Sequence, residues 1–256
     1  MNAFRPKLWT AVGAAALVLA ACTKSREEGE KAAPGGETPP AAVGEAGETA
    51  AGEGGVGEAG ASEAYSAVPA ASRTALRLAH LKGFFLIAQE AQKAEGDDAA
   101  AALAGQGMLE VFDPAAAVFR EAGVDEAVLR EAATKGDAAS LKAAIANLDS
   151  IRAKVGGDAA AVVSGMTGIA AGLYGHVLKE GAVDTIEYQH SRGAALSAKA
   201  ELDKFAGSNP KVAKARGDIQ AFLKMWPTVS APEDAAKVTP AAQVQAQASR
   251  IQLSLS

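Results

Sequence analysis

The chain of 256 residues holds one cysteine, Cys22, so no disulfide can form within it. Aromatic residues make up only 5% of the chain while 49% is hydrophobic. A core poor in rings and rich in alanine and glycine must be built from close backbone contacts between helices. No Gly-x-Ser-x-Gly elbow, no His-Glu-x-x-His motif and no glycine-rich phosphate loop after a strand is present. The three histidines, His80, His176 and His190, lie too far apart for any two to share a helix face at a three- or four-residue step, so no single helix offers a metal-ligating pair. No segment shows the alternation of a half-buried strand. These absences lead us to expect a non-enzymatic, all-helical protein.

Charge excludes further classes. The formal net charge is -5, with Arg5 and Lys7 near the start of the chain. Residues 23–63 hold nine glutamates against Lys24, Arg26 and Lys31, which leaves the rest of the mature chain at -1. A near-neutral domain behind an acidic segment gives no electrostatic footprint for nucleic acid, and no general attraction to anionic lipid.

Residues 1–21 have the zones of a secretory signal: Arg5 and Lys7, an apolar stretch from Leu8 to Ala20, then small residues. The apolar stretch is shorter than the ~20 residues a membrane-spanning helix needs. The stretch Leu19-Ala20-Ala21-Cys22 resembles the lipobox of bacterial lipoproteins. That resemblance implies a diacylated Cys22 thiol, cleavage before Cys22, and acylation of the new amine. Several acyl chains, at ~0.8 kcal/mol per buried CH2, hold a protein on a membrane almost permanently. Thr23 and Lys24 follow, with no aspartate after Cys22, which is similar to lipoproteins of the Gram-negative outer membrane rather than those kept at the inner membrane. The expected location is the cell envelope, lipid-anchored at the outer membrane and facing the periplasm.

Residues 22–65 form the expected tether. Gly, Ala, Glu and Pro dominate residues 23–63, without Leu, Ile or an aromatic ring. Such a segment cannot bury enough apolar surface to offset its ordering entropy, so disorder is expected, with a span of roughly 35 Å. Residues 66–226 carry helical periodicity. Leu76, His80, Gly83, Phe84 and Ile87 fall on one stripe and Leu78, Leu81, Phe85 and Ala88 on another, which marks a central helix packed on both sides. Asp97, Asp113-Pro114, Asp137, Asp158 and the pair Asp184 and Glu187 read as helix starts, and Gly123, Gly156-Gly157 and Gly181 as stops. Gly165, Gly168 and Gly172 interrupt one apolar helix and predict close approach of a neighbouring helix or of a ligand. Pro227 ends the last secure stripe, and residues 227–256 read as a loosely ordered tail with one short helix. The expected fold is an all-α antiparallel bundle of six or seven helices behind a disordered tether.

The stretch from Tyr174-Gly175 through Gly181, Val183 and Glu187-Tyr188-Gln189 to Gly193, together with His80-Leu81 and Gly83, resembles part of the extracytoplasmic helical domain that accompanies high-affinity iron permeases. Those relatives carry further His and Glu on the second helix, where this chain reads Gln106, Met108, Leu109 and Glu110. Taken by residue type, His80, Glu110, Asp113, His176, Glu187 and His190 are the candidate ligands for a metal between helices, since imidazole with carboxylate suits iron, zinc or copper. The leading expectation is a ligand-binding module, with a metal ion as one ligand. The alternatives are a structural or assembly lipoprotein that docks a protein partner in the envelope, and a carrier of an apolar ligand around Phe84, Phe85, Met108 and Met166. Convergence of His80, His176 and Glu110 on one point would favour metal; their separation would favour the protein partner.

Overall fold

A computed structural model describes residues 57–204 and 210–256. The signal, Cys22 and all of the expected tether up to residue 56 lie outside the described residues. The domain is an all-α antiparallel helical bundle. Its helices are α1 (Gly57–Ala67), α2 (Arg73–Glu95), α3 (Asp97–Gly107), α4 (Ala116–Ala122), α5 (Glu126–Lys135), α6 (Ala138–Lys154), α7 (Ala159–Tyr174), α8 (Thr185–Asp203), α9 (Pro210–Leu223) and α10 (Ala241–Leu255).

Helix α2 is the axis of the bundle. It packs against α3, α6, α7 and α8, and buries residues on opposite faces, as its two apolar stripes require. Leu76 and Ala79 face a first core made largely by α7, α8, α9 and α10, where Val162, Met166, Tyr188, Phe222 and Trp226 meet. Leu78, Leu81, Phe85 and Ala88 face a second core with Leu103, Phe112, Phe119, Leu129, Leu141 and Leu148. Small residues bring α2 and α8 together. A Cβ placed on Gly83 would lie 2.8 Å from the Gly193 carbonyl oxygen, and one on Gly193 would lie 2.7 Å from that of Gly83. The expected close approach on α7 occurs at Gly165, where a Cβ would meet Leu76 at 2.9 Å and Val68 at 3.0 Å.

Most boundaries follow local chemistry. Asp125, Asp137, Asp158 and Asp184 each accept a backbone N–H from the first turn of their helix. Gly123 and Gly136 close α4 and α5 with positive φ, which a side chain would resist. Elsewhere the structure departs from the expected pattern. Gly96 rather than Asp97 is the cap of α3, and the Asp97 carboxylate instead accepts from Gln92. Asp113-Pro114 is no clean restart: a π turn (Met108–Phe112) and a short 3-10 turn (Asp113–Ala115) carry the chain from α3 into α4. Glu187 does not complete a capping box with Asp184, because the Asp184 N–H donates to the Val177 carbonyl at 2.7 Å.

Helix α7 ends at Tyr174, before Gly181. The intervening residues form a small hairpin, β1 (Leu178–Lys179) with β2 (Ala182–Val183), paired Leu178 to Val183 and Lys179 to Ala182. Its turn residues, Glu180 and Gly181, both have positive φ, the requirement of a type I′ turn. Strands of two residues are too short to show alternation, so sequence periodicity misses them.

The ends of the bundle also differ from expectation. Helix α1 begins at Gly57, inside the span read as tether, and buries Ala61 and Ala64 against α7. The C-terminal residues are not a loose tail. Val244, Ala248 and Ile251 of α10 are buried against α7 and α9. Gln247 adds a hydrogen bond to the Asp218 carbonyl, and Gln252 one to the Ser164 carbonyl. Two of the glutamines that make this segment look weakly apolar are thus satisfied by the backbone of the helices it covers.

Candidate functional site

Two of the predicted histidines come together. His80 on α2 and His190 on α8 are both buried, and the Phe84 ring lies between them, 5.6 Å from His80 and 4.6 Å from His190 by ring centroid. His80 sits one turn before Phe84, and α8 approaches this face of α2 because Gly83 and Gly193 let it. The Tyr65 hydroxyl of α1 lies 2.8 Å from His80 Nδ1, and Gln106 Oε1 of α3 lies 2.8 Å from His190 Nε2. Glu110, on the π turn, places Oε2 3.4 Å from His190 Nδ1. A neutral imidazole donates from only one nitrogen. His190 therefore donates either to Gln106 or to Glu110, and the Gln106 amide serves as acceptor or donor according to how it is turned.

Burial dominates the titration of this group. Desolvation, followed by the nearby His190 and Arg77, lowers His80 to about 3, and desolvation lowers His190 to about 4. Burial raises Tyr65 far above an ordinary phenol, against the opposing pull of Arg77, whose guanidinium lies 4.8 Å from the Tyr65 ring centroid. At neutral pH both imidazoles are uncharged. Two hydrogen-bonded pairs, Tyr65 with His80 and Gln106 with His190, meet across the Phe84 ring and tie together α1, α2, α3 and α8, with Glu110 of the π turn beside His190.

The other candidates lie apart from these pairs. Asp113 accepts from Arg130 on α5 at 2.7 Å, within a surface network that also joins Arg130 and Arg120 to Glu126. His176, in the turn after α7, and Glu187, in the first turn of α8, form a separate electrostatic pair. Glu187 is only 8% exposed, and its Oε2 has no hydrogen-bond partner. Burial raises its pKa, and the charges of Lys179 and His176 pull it back. Among the described residues, no group of three or more His, Cys, Asp or Glu side chains is placed to hold a metal ion. The six predicted ligands therefore do not form one metal site. His80, His190 and Glu110 belong to one group, His176 and Glu187 to a second, and Asp113 to a third. The physical reason is separation: Asp113 is held at the surface by Arg130, and His176 and Glu187 lie by the turn between α7 and α8, away from the two buried imidazoles.

Sequence reasoning missed the surface feature beside this group. In the π turn, Met108, Val111 and Phe112 are buried while Leu109 is 69% exposed. Leu109 and Met108 line a shallow cavity of about 270 Å³ with Gly105 of α3 and Arg130, Ala133 and Thr134 of α5. The signal was legible: Leu103, Ala104, Met108, Val111 and Phe112 make an inward stripe, and Leu109 falls off it. π turns recur at functional sites because the extra residue redirects neighbouring side chains. Here Leu109 faces outward while Glu110 reaches back to His190.

Comparison with known proteins adds no family to this geometry: no protein-family model, curated protein or solved structure significantly matches the chain.

Proposed function

We propose that this is a membrane-anchored, non-enzymatic lipoprotein of the cell envelope, held by acyl chains on Cys22, whose helical domain docks a protein partner through the Leu109 surface. The observation behind this reading is the exposed Leu109 at the lip of the cavity between α3 and α5. Sites for drug-sized ligands run ~300–1,000 Å³ and enclose most of the ligand. A shallow cavity of about 270 Å³ suits one large side chain of a partner better than a carried apolar molecule. Among the described residues the predicted ligands do not converge on one point, which favours docking over metal binding.

Two experiments test this. For the anchor, the Cys22→Ser chain should be released from membranes by salt, and the mature wild-type protein should lack residues 1–21; an intact signal on the mature protein defeats it. For docking, a photo-crosslinking amino acid at position 109 in cells should give one discrete adduct, identified by mass spectrometry. The same label at Leu253, the other strongly exposed leucine, should not give it. Equal adducts from both positions, or none from 109, would refute docking at this surface.

A further inference from the structure

This inference rests on the lipid anchor at Cys22 in the reading above and not on docking at Leu109. We infer that the tip of the domain formed by the β1–β2 hairpin and the first turn of α8 lies on the bilayer, where Leu178 and Ile186 enter zwitterionic lipid.

Helix register places the start of the anchoring segment at this tip. A Cβ added to Gly165 of α7 would meet Val68, just past the end of α1, at 3.0 Å, and one added to Gly168 would meet Ala64 at 3.7 Å. Positions on α1 fall as those on α7 rise, so the two helices run antiparallel. From Ala64 back to Gly57, and from Gly168 on to Gly175, are equal lengths of chain, about 10 Å of helix each. Gly57 is therefore level with Gly175, the cap of α7, from which the chain enters the hairpin. Residues 23–56 separate Gly57 from Cys22, and even fully extended such a stretch reaches ~120 Å at most. The connection to the acyl chains thus starts beside the hairpin, and this is the end that the anchor brings to the bilayer.

Apolar side chains stand exposed at the same place. Among the described residues the large exposed hydrophobics are Leu109, Leu178, Ile186 and Leu253. Leu178 on β1 and Ile186 in the first turn of α8 are 45% and 49% exposed. Scattered single aliphatics on a surface need no occupant, whereas two on adjoining elements beside a membrane anchor have one at hand. The backbone that presents them is fixed. The Asp184 N–H donates to the Val177 carbonyl at 2.7 Å, Lys179 bonds the Asp184 carboxylate at 2.8 Å, and Val183, opposite Leu178, packs on the first core. Little ordering entropy therefore opposes insertion. With Lys179 paired to Asp184, Glu180 at the turn is the unbalanced charge of the hairpin. An anionic surface would repel it, and a zwitterionic one would not. The contact is apolar and shallow, as for a helix or loop that lies in the interface rather than crossing it.

The test uses the mature lipidated protein reconstituted in phosphatidylcholine vesicles that contain lipid with nitroxide-bearing acyl chains. A thiol-reactive fluorophore is placed on Ala182→Cys in the hairpin or on Leu253→Cys. Leu253 is the more exposed leucine, at 75%, but the neighbouring Gln252 bonds the Ser164 carbonyl, roughly 15 Å along α7 from Gly175. Quenching at 182 should exceed that at 253 several-fold. Adding Leu178→Ser and Ile186→Ser should lower quenching at 182 to the level at 253. Raising salt from ~0.1 M to ~1 M should leave the contact in place, since apolar burial is not screened. Phosphatidylglycerol in the vesicles should weaken it at the lower salt.

Equal quenching at 182 and 253 would overturn the inference, and so would undiminished quenching with both serines present. If the serines lower the melting temperature, the comparison of 182 with 253 still decides. Quenching that needs phosphatidylglycerol and disappears in high salt would make the contact electrostatic and overturn it as well. A discrete protein adduct from a photo-crosslinker at position 186 in cells would assign this tip to a protein partner instead. Uptake of fluorophore by the parent protein would show a free Cys22 thiol, which defeats the anchor itself and is thereby told apart from failure of the hairpin contact.

Discussion

Gly83→Ala tests the packing of the bundle at its tightest point. In an open helix this change would stabilise by about 1 kcal/mol, because glycine carries the larger backbone entropy. Here the new methyl would lie 2.8 Å from the Gly193 carbonyl oxygen and 3.0 Å from its carbon. The obstacle is backbone, so no rotamer change relieves it, and α2 and α8 must separate. Overpacking costs ~1–3 kcal/mol, and a backbone clash belongs at the upper end. Set against the helix-propensity gain, the net loss is about 2 kcal/mol. For a domain of this size that corresponds to a fall in Tm of ~4–8 °C. The comparison is Gly217→Ala on α9, where an added Cβ meets nothing within 4 Å. It should gain about 1 kcal/mol and raise Tm by ~2–4 °C. Far-ultraviolet circular dichroism of the two variants and the parent during heating gives both values. A Gly83→Ala protein as stable as the parent would refute the close crossing of α2 and α8.

Trp226→Ala should cost ~3–5 kcal/mol in denaturant unfolding, since it empties a fully buried ring site against Tyr174 and Phe222 and removes the indole N–H that donates to the Ser191 hydroxyl. Arg152→Ala should cost up to ~3 kcal/mol, because Glu201, 2% exposed, keeps only Lys204 as a cationic partner; Arg152→Lys should rescue part of the loss if charge is what matters. The pH dependence follows from the histidines. Their folded values lie near 3 and 4, below the ordinary 6.5, so the unfolded chain binds more protons between those limits. Stability from this group is complete above about pH 6.5 and is lost as pH falls toward about 3. Urea unfolding through that window should show the loss, and His190→Gln should flatten it; an unchanged pH profile in that variant would contradict a buried neutral His190.

Much of this protein was legible in its sequence because much of it is local. The helices of residues 66–226 follow from apolar residues at three- and four-residue steps, and the starts of α6, α7 and α8 from aspartates that satisfy N-terminal backbone donors. The burial of both faces of α2 could likewise be read from its two stripes. What depends on distant partners could not be. Gly83 and Gly193, 110 positions apart, gain meaning only where α2 crosses α8. The glutamines of α10 look like solvent-facing residues until Asp218 and Ser164 supply carbonyls for two of them. The six candidate ligands were chosen by residue type, which carries no distance. Tertiary packing joined His80 and His190 through Phe84, engaged their nitrogens with Tyr65 and Gln106, and left Asp113, His176 and Glu187 elsewhere. It also turned Leu109 outward at the lip of a shallow cavity while Met108, Val111 and Phe112 went inward. Spacing along the chain decides which residues share a helix face, and only the fold decides what that face meets.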